Sequence, residues 1–63
     1  MDEYISSIIR EFNHHKAEYE KVVSQPGKVI EESFHAFMMN AISAAVRQSS
    51  HEEYKIAFYN GTI

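Results

Sequence analysis

Between Val29 and Val46, twelve of eighteen side chains are apolar. On a helical wheel they cover an arc about twice as wide as one core contact needs. A helix with two apolar faces requires two neighbours, and a chain of 63 residues has few elements to provide them. The second neighbour must be a third segment of the chain or another molecule. Size sharpens the problem, because a domain of about 60 residues buries only about 60% of its unfolded surface. The chain has no cysteine, so disulfides and thiolate zinc sites are excluded as staples. Idealised helix packing, self-association, or a metal held by histidine and carboxylate remain.

The pattern on either side of this segment predicts an all-α single domain over residues 1–63. Ile5, Ile8, Ile9, Phe12, Tyr19, Val22 and Val23 recur at helical spacing and predict a first helix over about 2–24. Asp2 and Glu3 at its start and Lys21 near its end suit the helix macrodipole. Pro26-Gly27 then predicts a turn at 25–27, since proline disfavours helix for the residue before it and glycine can supply a positive φ. The second helix is expected over about 28–48, with Glu31 and Glu32 in its first turns and Arg47 near its end. So short a connection predicts an antiparallel hairpin.

Two faces of the second helix compete for the first. Ile30, Phe34, Phe37, Met38, Ala41 and Ala45 form the more apolar stripe and are expected to pack on the first helix. Met39, Ile42 and Val46 form a strip beside it and are the expected interface, covered by a third helix or by another chain. The last segment, 51–60, reads two ways. Ser50 and Glu53 fit a capping box, with Asn60-Gly61 as a stop, while Tyr54, Ile56 and Phe58 alternate as in a strand. The helix is favoured, because an isolated strand has nothing in this chain to pair with. A helical-bundle dimer is the expected assembly, with Tyr54, Phe58 and Tyr59 as further interface candidates, aromatic residues being enriched at binding hot spots.

Nine acidic against six basic residues give a net charge of −3. Nucleic-acid binding rests on Lys and Arg neutralising phosphates; here the cations are scattered singly, so a dimeric nucleic-acid-binding regulator is the weaker reading. No apolar run is long enough to span a bilayer, and no basic-then-apolar leader opens the chain. A cytoplasmic protein with no membrane partner is expected. Catalytic patterns are missing: there is no cysteine nucleophile, glycine-rich phosphate loop, G-x-S-x-G or H-E-x-x-H. No enzyme and no cofactor are expected.

Histidine carries the remaining chemistry. Glu11-x-x-His14 and Glu32-x-x-His35 repeat a pair that di-metal bundles use, and His14, Glu18, Glu32 and His35 are the candidate metal ligands of a small His/Glu metal-binding bundle. Against this, a hairpin pivoting at Pro26-Gly27 sets His35 level with Ala17. His15 falls on the apolar stripe of the first helix, where it serves as a pH switch or, as the stronger reading, as a polar layer that fixes register. Lys16 is expected to snorkel beside it. The leading functional expectation is a non-enzymatic regulatory protein that binds another protein, as an inhibitor, adaptor or antitoxin-like factor does.

Overall fold

The computed structural model describes residues 2–62. Among them are three helices and no strand: α1 (Glu3–Val22), α2 (Val29–Arg47) and α3 (Glu52–Thr62). Asp2 caps α1, its Oδ1 accepting the Tyr4 backbone N–H at 2.7 Å. That bond satisfies one of the orphan donors of the first turn. The turn runs longer than the expected 25–27, because α1 closes at Val22 and α2 opens at Val29. Gln25 holds it together: its backbone N–H donates to Val22 and its side-chain amide to the Lys21 carbonyl. Gly27 supplies the positive φ, +82°. A side chain there is strained, so Gly27→Ala is expected to lower stability by about 1 kcal/mol, read by thermal melting.

α1 and α2 pack as a hairpin, and α3 folds back along α1 in the same direction. The direction follows from a ladder of contacts. Tyr54 meets Asp2, Phe58 meets Phe12, Gly61 meets Asn13 and Thr62 meets Lys16. Segment 51–60 is therefore helical, as favoured, but the helix runs through Asn60-Gly61 instead of stopping there. Gly61 allows close approach: a Cβ at this position would stand 3.0 Å from two carbons of Ile9. The last carbonyls of α3 are satisfied by α1. Asn13 donates to Gly61 O at 2.9 Å and the Lys16 ammonium to Thr62 O at 3.3 Å. Lys16 thus places its charge where the α3 dipole favours a cation. The start of α3 differs too, since Ser49, not Ser50, accepts the N–H of His51.

Ile5, Val46 and Phe58, one residue from each helix, form the buried core. Ile8, Ile9, Phe12, Ile42, Tyr54 and Ala57 pack around it. Phe12 meets Phe58 edge-on, with ring centroids 5.1 Å apart. The two faces of α2 exchange the roles expected of them. Val46 and Ile42, with His35 and Met39, lie on the inner face toward α1. Most of the more apolar stripe stands in solvent: Ile30 is 81% exposed, Phe34 53% and Phe37 68%, with Ala41 and Ala45 also exposed, while Met38 is half-buried.

Candidate functional site

The inner face of α2 is itself a regular repeat. Glu32, His35, Met39, Ile42 and Val46 recur at spacings of three and four, the pattern of a helix–helix seam. Its polar members explain why it wins over the greasier stripe. His15 of α1 is buried to 7% exposure, and a buried imidazole needs a hydrogen-bond partner. His35 provides one, with the two Nδ1 atoms 2.9 Å apart. One ring must carry its proton on Nδ1 while the other offers a lone pair there. Packing the Phe34–Phe37 stripe on α1 would have left His15 facing hydrocarbon alone. Phe34 instead stacks its edge near both rings, with centroids 5.7 Å from His15 and 5.2 Å from His35.

The pairing also fixes the level of the hairpin. His35 stands opposite His15, two residues from the Ala17 level expected from a pivot at Pro26-Gly27, because the turn runs from Val23 to Lys28. Of the four candidate metal ligands, His35 joins this pair, whereas His14 is exposed on α1 and Glu18 lies 3.4 Å from Lys21. Glu32 is half-buried. No three His, Asp or Glu side chains among the described residues are grouped to hold a metal ion.

The expected interface residues are mostly spent inside the chain. Val46 and Phe58 are core, Ile42 and Tyr54 pack on it, and Met39 is half-buried beside Tyr19. Tyr59 alone of the six is exposed. α1 covers the Met39–Ile42–Val46 strip along its length, and the expected third helix joins it at the carboxyl end, where Phe58 of α3 packs with Val46. The open surface is the outer stripe of α2: Ile30, Phe34, Phe37 and Ala41. Sequence reasoning missed it by ranking faces on hydrophobicity. The signal that finds it is the match of polar positions, His15 against His35.

A cleft of about 300 Å³ opens where the start of α1 meets the α2–α3 connection, lined in part by Tyr4, Ala45, Ser49, His51 and Tyr54. At its edge the Tyr54 hydroxyl donates to Asp2 Oδ2 at 2.7 Å. That bond, with the Tyr4 N–H, holds the Asp2 carboxyl below its ordinary 3.8, and the same bond raises Tyr54 above its ordinary 10.0. The signs define two pH limits. The Asp2 contribution is complete above about pH 3.8 and disappears as acid titrates the lowered carboxylate. The Tyr54 contribution is complete below about pH 10 and disappears as base ionises the raised phenol. Tyr54→Phe is expected to remove the specific loss of stability above pH 10, measured as the melting temperature against pH.

No protein-family model matches the sequence, and neither the curated proteins nor the solved structures give a match. Among the described residues no helix is long and apolar enough to cross a membrane.

Proposed function

We propose that this protein is a non-enzymatic regulator that acts by binding another protein chain, and that the outer stripe of α2 is its contact surface. One observation carries the reading: Ile30, Phe34 and Phe37 lie together in solvent on a helix whose other face is already sealed by α1 and α3. Their side chains present on the order of 400 Å² of apolar surface, within the range of the largest, often functional, patches on monomeric proteins. Two large aromatic rings at its centre are the residue type that dominates binding energy at interfaces. A cytoplasmic protein of net charge −3 that meets a target through this stripe is steered toward a basic rim around an apolar groove.

The test is saturable capture of a partner from an extract of the source cells. Ile30→Glu with Phe37→Glu is expected to abolish capture while leaving the helical circular dichroism unchanged, since both positions are exposed. Capture that survives both substitutions would refute the assignment of the surface. Association with a basic partner is further expected to weaken as salt rises.

A further inference from the structure

We infer that the His15–His35 layer is a proton-operated latch. It stays shut with one added proton and opens with two, freeing the turn half of the hairpin while the three-helix core stays closed. This device lies on the inner face of α2 and is independent of what the outer stripe binds. The distribution of burial along the hairpin points to it first. Ile5, Val46 and Phe58 close the end far from the turn. Between the two histidines, over residues 16–34, no residue is buried. The layer is therefore the last buried contact before the turn, and the turn half of α2 has no core of its own. Segments with few buried contacts open locally before the whole fold does.

Counting protons gives the switch. In the neutral pair one Nδ1–H donates across the 2.9 Å gap to the lone pair of the other Nδ1. A first added proton goes to the far nitrogen, Nε2, of the donor ring. The bond survives and becomes charge-assisted. His35 suits the cationic role, being half-buried with Glu31 and Glu32 one helical turn before it. A second proton has only the accepting Nδ1 of His15 to occupy. Two N–H groups then point at each other, and a charge sits on a ring that is 7% exposed.

The surroundings offer that second charge no relief through Nδ1, which already faces His35. On α1, His14 is exposed with its ring centroid 5.3 Å from that of His15, and Glu11 and Tyr19 lie one turn before and after it. Glu18 is engaged with Lys21, and Lys16 with the Thr62 carbonyl of α3. Phe34 meets both imidazoles edge-on, so opening also displaces one residue of the outer stripe.

Amide hydrogen exchange on the full chain, corrected for the intrinsic pH dependence of exchange, measures the opening. Over residues 16–34 the opening constant is expected to rise as pH falls below about 6.5, the ordinary histidine value, by up to about tenfold per pH unit, the slope of one proton. Measured between about pH 7.5 and 5, the rise stays clear of Asp2, whose carboxyl is held below 3.8. The amides of Val46 and Phe58 are expected to show no such rise. His35→Asn puts a neutral acceptor in place of the Nδ1, so a protonated His15 keeps a partner and most of the rise is expected to disappear. Should that variant fail to fold, His15→Leu with His35→Leu is expected to flatten the profile. An opening constant that stays level to about pH 5 would overturn the latch. So would a rise that survives either variant, or one that Val46 and Phe58 share in full, which would mean global unfolding.

Discussion

Phe58→Ala is expected to destabilise the protein by about 3–5 kcal/mol, the usual cost of truncating a buried phenylalanine. Phe58 is 3% exposed and is the only α3 residue in the buried core, where it joins Ile5 and Val46. Phe12 closes one side of it through an edge-on contact. Its loss leaves a cavity at the one point where all three helices meet. It also loosens the ladder that holds α3 on α1, from Tyr54–Asp2 at one end to Thr62–Lys16 at the other. A small domain has about 5 kcal/mol or little more to lose. Urea titration followed by circular dichroism is therefore expected to show at most a residual cooperative transition. A cost below about 1 kcal/mol would mean that α3 is not needed to seal the hairpin.

The second large effect runs in the opposite direction. Replacing both His15 and His35 by leucine is expected to raise stability by about 2 kcal/mol, since a buried polar pair is commonly less stable than an apolar pair of similar volume. His15 is buried and His35 half-buried, so most of the gain comes from position 15. His15→Leu alone leaves the His35 Nδ1 without its partner; because His35 is half-exposed, water can replace that bond, and the single variant is expected to gain less than the double. The layer matters more for uniqueness than for strength. With leucine at both positions the inner face of α2 loses the feature that distinguishes it from the outer stripe. Resonances of α2 are then expected to broaden or double as the helix samples both faces. Sharp, single resonances together with a large loss of stability would contradict this role.

The helical plan was legible for simple reasons. Ile5, Ile8, Ile9 and Phe12 are spaced for one helix, Pro26-Gly27 interrupts it, and the apolar period resumes at Val29. α3 was legible as a helix only by weighing Ser50 and Glu53 against the alternation of Tyr54, Ile56 and Phe58. The absence of any strand to pair with decided it. Asn60-Gly61 misled, because a glycine that permits close approach to Ile9 looks in sequence like a glycine that ends a helix. The faces of α2 were assigned in reverse for a related reason. Hydrophobicity ranks Phe34 and Phe37 above Met39 and Ile42, but packing is decided by both partners. α1 brings His15 to the seam, and only the face carrying His35 can meet it. The two-residue shift of that pairing followed from where the helices end around the turn, which Pro26-Gly27 alone does not set.

The reversal of the two faces is the claim on which the contact surface depends, and paired truncations test it most directly. In dilute solution, Val46→Ala is expected to cost about 2 kcal/mol by urea titration, because Val46 is 7% exposed at the centre of the core. Phe37→Ala is expected to change stability by no more than about 0.5 kcal/mol, as an exposed position does, although it removes the larger side chain. A heavy cost for Phe37→Ala with a slight one for Val46→Ala would show that the greasier stripe faces α1 after all.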